Sequence, residues 1–174
     1  RSVEAKKEGA LRVRLLGSGT ILNQVCKAAE MLAEAHGISS DVYSVTSYKE
    51  LHREAQEVER WNLLHPAAEA RVPYLTACLG KGAAPVVAAS DYVKALPGSV
   101  ARWMPARLTV LGTDGFGRSD GREALRDFFE VDARHVVLAA LAALVREGAL
   151  DAAVAVKARD AFGLDAERPN PLYL

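Results

Sequence analysis

A strand that passes into a helix through a glycine-rich turn is the sequence feature that most limits how this chain can fold. Residues 11–16 alternate apolar and polar side chains, which predicts a strand. Residues 17–20, Gly-Ser-Gly-Thr, interrupt that alternation, and from Ile21 the apolar residues recur at helical spacing until Gly37. A strand followed at once by a helix of this length forms the first half of a βαβ unit.

The same order of elements repeats toward the carboxyl end. The sequence predicts three further strands at residues 41–45, 85–90 and 108–111. Helices are predicted at 48–61, 74–79, near 92–103, after Asp132 and over 151–162, with Ser47 and Glu50 forming a capping box and Gly163 ending the last helix. This alternation predicts an α/β fold, a three-layer sandwich around a mostly parallel sheet of four strands.

The chain length of 174 residues fits one domain. We expect a single α/β domain over residues 11–174, preceded by a linker remnant over the charged and polar residues 1–10. Arg1 stands where an initiator methionine would be expected, which suggests a piece cut from a longer parent chain.

Charge and composition indicate which partners the chain has. Twenty-two basic residues balance twenty-two acidic ones, so no net field favours nucleic acid or an anionic membrane. No apolar run approaches the roughly 18 residues of a membrane span. Cys26 and Cys78 are isolated and match neither a disulfide framework nor a zinc site, and the four histidines have no metal-ligand spacing. We therefore expect a cytoplasmic protein without a membrane or nucleic-acid partner.

Two glycine-rich turns are candidate ligand sites. Ser18 and Thr20, between the first strand and helix, are placed to contact a phosphate at a helix N-terminus, or else simply to cap that helix. The second turn, at 112–120, follows a strand at the edge where open α/β sheets bind ligands. There Asp114 and Arg118 are predicted to orient each other or a partner chain, and Gly115 allows a close backbone approach.

Two aromatic residues are candidate interface residues. Phe116, in the turn at 112–120, is interpreted either as part of a site or as a plug that packs into the domain. Trp61, predicted to lie in a loop, needs a pocket within this chain or on a neighbouring one.

Seven segments, taken together in order, resemble the C-terminal domain of homodimeric, thiamine-diphosphate-dependent pyruvate dehydrogenases. They are residues 13–21 (VRLLGSGTI), 41–48 (DVYSVTSY), 59–66 (ERWNLLHP), 71–74 (RVPY), 89–92 (ASDY), 111–120 (LGTDGFGRSD) and 129–133 (FEVDA). The resemblance extends over nearly the whole chain and implies a transketolase C-terminal-like fold.

The resemblance implies a parent enzyme that binds thiamine diphosphate and Mg²⁺, decarboxylates pyruvate and reductively acetylates the lipoyl group of a dihydrolipoyl acyltransferase. The family's Gly-Asp-Gly…Asn cofactor motif is not found here, because neither Asp114-Gly115 nor Asp120-Gly121 has the required Asn downstream. No catalytic residue, cofactor or metal site is therefore carried over to this chain.

The resemblance favours a structural and dimerisation role, with the rest of the parent chain and a second subunit as partners and no enzyme activity in the fragment alone. The alternative is a regulatory module that binds a small ligand or phosphate at the two glycine-rich turns. A free-standing flavodoxin-like enzyme fits the topology but has no nucleophile, base or cofactor motif behind it.

Overall fold

The computed structural model describes residues 1–6 and 9–174, in which a five-stranded sheet is covered by helices on both faces. The strands are β1 (Ser2–Val3), β2 (Arg12–Gly17), β3 (Ser39–Ser44), β4 (Val86–Ala89) and β5 (Leu108–Leu111). Their order in the sheet is β1-β3-β2-β4-β5. The predicted mostly parallel three-layer sandwich is confirmed.

The helices occupy the connections between the strands and the carboxyl-terminal third of the chain. They are α1 (Leu22–His36), α2 (Tyr48–Leu64), α3 (Tyr74–Leu79), α4 (Ala95–Gly98), α5 (Arg122–Phe128), α6 (Ala133–Arg146) and α7 (Ala152–Ala161), with short 3-10 helices at Gly19–Ile21, Ala101–Trp103 and Pro171–Tyr173. No helix among the described residues is long and apolar enough to span a membrane.

The sheet has one strand more than the sequence predicted. Four strands are parallel, β3, β2, β4 and β5, as expected. The fifth, Ser2–Val3, lies in the segment interpreted as a linker remnant and pairs antiparallel with β3 at its edge. Two residues are too short for an alternation pattern, so this strand has no sequence signal of its own.

Two apolar clusters, one on each face, hold the layers together. On one face, α1 and α6 pack on the sheet around fully buried residues such as Leu15, Leu32 and Leu141. On the other, Leu16, Tyr48 and Trp103 belong to the cluster beneath α2, α3 and the segment that follows β4. Successive residues Leu15 and Leu16 are therefore buried on opposite faces, as a strand covered on both sides requires.

The predicted N-caps Ser47 and Asp132 are confirmed, but the Glu50 side chain pairs with Arg53 rather than with the Ser47 amide that a capping box requires, and two helices differ in extent. Ser47 Oγ accepts a hydrogen bond from the Glu50 amide at 3.2 Å, and Asp132 Oδ1 accepts one from the His135 amide at 3.1 Å. The helix predicted near 92–103 is wrong as a continuous element: it is the single turn α4, then a 3-10 turn. Helix α5, absent from the elements predicted by periodicity, is seven residues long.

Candidate functional site

The loops that follow β2, β4 and β5 converge at the carboxyl edge of the sheet. Thr113 bridges two of them, because its amide donates to Tyr92 O at 2.9 Å and its hydroxyl donates to Asp91 O at 2.8 Å. Gly112 permits this approach, since a Cβ there would lie 2.6 Å from Tyr92 O. The glycine-rich turn is thus fastened to its neighbour through backbone contacts that a larger residue would block.

A cleft of about 330 Å³ opens between these loops and helix α5. We call it the basic cleft. Its walls are formed by Thr20, Ile21, Asp91, Thr113, Gly115, Gly117, Arg118, Arg122, Leu125, Arg126, Phe129 and Val131. Ile21 and Val131 are almost fully buried and, with Leu125 and Phe129, make its apolar part. Both its size and its mixture of apolar walls with a few polar groups are typical of small-ligand sites.

Three arginines and one acid give the basic cleft its charge. Arg122 and Arg126 lie four residues apart on one face of α5, and Arg118 comes from the turn before that helix. The Arg118 guanidinium lies over the Phe128 ring, 5.0 Å from its centre. Among residues 1–6 and 9–174, none of these three guanidinium groups has a carboxylate within ion-pair distance, whereas Arg134 and Arg168 each contact Asp127.

The predicted site residues separate into two groups in the structure. Thr20, Gly115 and Arg118 line the basic cleft, whereas Ser18 and Asp114 do not. Asp114 accepts a hydrogen bond from the Lys94 amide at 2.9 Å, with Lys94 Nζ 3.8 Å from its other oxygen. The predicted mutual orientation of Asp114 and Arg118 is therefore wrong, because Asp114 fastens the loop after β4 instead.

The capping interpretation of the first glycine-rich turn is also wrong. Ser18 precedes the 3-10 helix at Gly19–Ile21 and its side chain makes no capping hydrogen bond. Its hydroxyl is buried and has no hydrogen-bond partner among the residues that the structure describes. Thr20 is exposed at the mouth of the basic cleft. The turn is thus closed by its backbone rather than by a side-chain cap.

Phe116 is not a packing plug. Its side chain is 81% exposed, and two segments that contact its turn carry further exposed apolar residues. We call this set the edge patch, and it consists of Tyr92, Val93, Phe116, Leu172 and Tyr173. The three segments that carry these residues touch through their backbones, as the bond from Thr113 to Tyr92 and the contact of Gly115 with Pro171 show.

Trp61 lies inside α2 rather than in a loop, which corrects the sequence prediction. Its ring stacks on His65, with centroids 4.3 Å apart, and the Arg71 guanidinium lies 3.7 Å from the ring centre. Asn62 holds Arg71 in place, because its side chain bonds both the amide and the carbonyl of that residue. The pocket that Trp61 requires is therefore supplied by its own chain.

An ion network that the sequence did not reveal holds the wall of the basic cleft in position. Arg134 contacts both Asp127, at the end of α5, and Asp132, at 2.6 Å. Arg168 contacts Asp127 at 3.0 Å and so fastens the carboxyl-terminal segment. Asp132 was predicted as a helix cap, and its side chain also contacts those of Arg134 and His135, whose spacing along the chain matches no motif.

The protonation of Asp132 follows from these contacts. Burial raises the pKa of its carboxyl, but hydrogen bonds from His135 and Arg134 favour the anion more strongly. The net pKa of Asp132 therefore lies well below its usual range. The pKa of Asp127 is also lowered: burial raises it, and the hydrogen bonds from Arg168 and Arg134 outweigh that effect.

A second cavity, of about 380 Å³, lies on the opposite face of the sheet between β3, α2 and α3. Its walls are largely apolar, with Glu50 and Glu54 as the acidic side chains. Glu54 accepts hydrogen bonds from the Tyr74 amide at 3.0 and 3.1 Å, which ties α2 to α3. No cluster of three or more His, Cys, Asp or Glu side chains suited to a metal occurs in the described part of the chain.

Comparison with known proteins identifies a matching family and several relatives. The sequence model of the transketolase-like TK C-terminal domain matches residues 2–132. Pyruvate dehydrogenase E1 components are 49% identical over 97% of this chain in Pseudomonas aeruginosa, 52% over 92% in Escherichia coli and 49% over 99% in Haemophilus influenzae. The chain spans only 18–19% of the length of these relatives.

A solved structure described as a split-gene transketolase, inactive beta4 tetramer, is 24% identical to this chain. It superposes with a TM-score of 0.49 over 83% of this chain and 42% of its own length.

Proposed function

Because the chain belongs to the transketolase-like C-terminal domain family, we propose that it forms the C-terminal domain of a thiamine-diphosphate-dependent pyruvate dehydrogenase and supports that enzyme's assembly. In this proposal, the parent enzyme decarboxylates pyruvate in the cytoplasm with thiamine diphosphate and Mg²⁺, and passes the acetyl group to the lipoyl group of a dihydrolipoyl acyltransferase. The domain's direct partners are the rest of its own chain and the second subunit of a homodimer.

The edge patch is the observation that supports an assembly role. Its five side chains are between 44% and 82% exposed, and two of the five are tyrosines and one a phenylalanine. Aromatic residues are enriched in the buried centres of protein interfaces, whereas clusters of exposed apolar side chains are disfavoured on a surface that stays in water. We infer that this edge of the sheet packs against another part of the parent enzyme.

The edge patch is tested in the full-length enzyme by substituting Phe116→Ser together with Tyr173→Ser. Both side chains are over 80% exposed in this domain, so the stability of the domain should change by no more than about 0.5 kcal/mol per site. Loss of two interface aromatics should weaken dimerisation by about 30-fold or more, measured by sedimentation over a dilution series. Val156→Ser is the matched control, since Val156 is an exposed apolar residue on α7 outside the edge patch.

Two results would contradict the proposal. The first is an unchanged dimer dissociation constant in the double variant, which would show that the edge patch does not contribute to the subunit interface. The second concerns chemistry in the domain alone. We expect the 174-residue chain to bind no thiamine diphosphate in titration calorimetry with Mg²⁺ present, so stoichiometric cofactor binding would place the active site here.

A further inference from the structure

We propose that the basic cleft is a binding site for a small phosphorylated organic anion. The cleft lies beside the edge patch but has a different chemical character, since its walls carry charge as well as apolar surface. It is also separate from any residue that the assembly proposal uses. The inference depends on the arrangement of three arginines around an open cleft that has an apolar floor.

The charge of the basic cleft favours a ligand with two negative charges. Arg118, Arg122 and Arg126 contribute three positive charges and Asp91 one negative charge, which leaves a formal charge of +2 in a chain whose net charge is zero. A phosphate monoester carries about −1.5 to −2 at neutral pH and so matches this excess. The planar guanidinium fork also pairs with two phosphate oxygens at once.

The guanidinium groups of these three arginines are available to a ligand, unlike those of several other arginines in the domain. Arg12, Arg134 and Arg168 are each committed to carboxylates at 3.0 Å or less. The three guanidinium groups of the basic cleft make no hydrogen bond to a side chain or backbone oxygen elsewhere in the described residues. An incoming anion would therefore displace water from them rather than an existing ion pair.

The apolar part of the cleft indicates that the ligand has an organic body as well as a phosphate. Leu125 and Phe129 are partly exposed and supply the apolar surface that a ligand could cover, while Ile21 and Val131, only 2% and 1% exposed, lie behind it as a fixed floor. A free phosphate ion would contact the arginines and leave this surface wet. A ring or short hydrocarbon attached to the phosphate would cover it, which adds binding free energy in proportion to the apolar area buried.

The backbone of the glycine-rich turn gives the cleft a fixed shape. Gly115 has a φ of +97°, and a Cβ at that position would lie 2.6 Å from Pro171 O. Gly117, by contrast, has open space around it, so the loop remains accessible from the cleft side. At the opposite wall, the contacts of Asp127 with Arg134 and Arg168 hold the end of α5 in place. The arginines of α5 therefore project from a fastened element into the cleft.

Phenyl phosphate is a suitable probe because it combines a phosphate monoester with a ring. We expect saturable binding to the 174-residue chain at one site, followed by titration calorimetry and by amide chemical-shift changes at Gly115 and Gly117. Inorganic phosphate and phenol, each titrated alone, should bind at least about tenfold more weakly because each lacks one half of the interaction. Affinity should fall with added salt, since the arginines are open to solvent.

Substitution of the arginines tests which residues bind the phosphate. Arg118→Gln and Arg122→Gln should each weaken binding by about tenfold or more, the expected loss of a charge-assisted hydrogen bond. Arg60→Gln on α2 is the matched control and should leave the affinity unchanged, because Arg60 lies outside the cleft. Since the substituted side chains are exposed, the melting temperature in the absence of ligand should stay within about 2 °C of the parent chain.

Three results would overturn the proposal. One is the absence of saturation at about 10 mM phenyl phosphate, beyond the millimolar range of weak specific binding. Another is an affinity that does not change on substitution of Arg118 and Arg122. The third is equal binding of benzoate, which would show that the cleft does not distinguish a phosphate monoester from a carboxylate. Because binding is measured on the 174-residue chain itself, each outcome is independent of how the domain packs in a longer enzyme.

Discussion

Alanine substitution of four glycines separates the two physical reasons why the turn at the carboxyl edge requires glycine. Gly148 has a φ of +70° and open space around it, so only backbone conformation opposes a side chain there. Gly112 has an ordinary φ, but a Cβ would lie 2.6 Å from Tyr92 O. Gly115 combines both conditions, with a φ of +97° and Pro171 O at 2.6 Å, and Gly117 has neither. The four positions therefore separate the effect of backbone conformation from the effect of steric contact within one chain.

The expected losses in the free energy of unfolding follow from these two terms. Gly148→Ala should cost about 1–2 kcal/mol, the penalty for placing an L-residue in the left-handed region. Gly112→Ala should cost about 1–3 kcal/mol, because a backbone oxygen must move to admit the methyl group. Gly115→Ala should cost the sum of the two terms, about 2–5 kcal/mol. Gly117→Ala should change stability by less than about 0.5 kcal/mol.

Urea unfolding, followed by circular dichroism, measures the loss in the free energy of unfolding of each variant. Equal m-values across the variants check that unfolding stays two-state. The critical comparison is between Gly115→Ala and Gly148→Ala. If the two variants lose the same stability, the carboxyl-terminal turn at Pro171 gives way without cost, and the fixed shape of the edge patch and the basic cleft is refuted. A loss on Gly117→Ala as large as that on Gly112→Ala would refute the steric reasoning itself.

Two further predictions concern buried polar groups. Tyr48→Phe should raise the free energy of unfolding, measured by urea titration, by about 1 kcal/mol. The reason is that the Tyr48 hydroxyl is buried without a partner among the described residues and loses its hydration on folding. A net destabilisation would show that a bound water satisfies this hydroxyl. Asp132→Asn should flatten the acid side of the stability curve. The folded-state pKa of Asp132 is depressed, so the stabilisation that its carboxylate contributes is present above the unfolded pKa near 4 and is lost as the pH falls below that value. If the free energy of unfolding depended on pH in that range as steeply in Asp132→Asn as in the exposed control Asp160→Asn, this reasoning would be contradicted.

Local signals predicted the elements whose boundaries are set by neighbouring residues. The caps at Ser47 and Asp132 were predictable because the bonded partners lie three residues away on the same turn. The left-handed Gly37 and Gly163 end helices for the same local reason. The extension of α2 through Trp61 also had a local signal, since the next strong helix breaker is Pro66 and not the aromatic residue.

The local sequence pattern did not predict contacts between segments that are distant in the chain. Asp114 was expected to interact with Arg118 four residues ahead, but it accepts a bond from Lys94, twenty residues back. Phe116 was expected either to form part of a site or to plug the core, and the course of the backbone leaves its side chain exposed. A side chain's direction in an irregular loop depends on what the loop is fastened to, and those partners are set by the sheet order.

The sequence by itself determined the class of fold, because strand and helix periodicities are properties of successive residues and their alternation allows few arrangements around one sheet. It also marked the glycine-rich turns that end at the carboxyl edge. Only the tertiary structure decided that Thr20, Asp91 and Thr113 line one cleft with three arginines from the turn before α5 and from α5 itself. It also decided that the segments carrying Tyr92, Phe116 and Tyr173 contact one another. The reason is physical: parallel β2, β4 and β5 bring the loops after them to one edge, however far apart those loops lie in the chain.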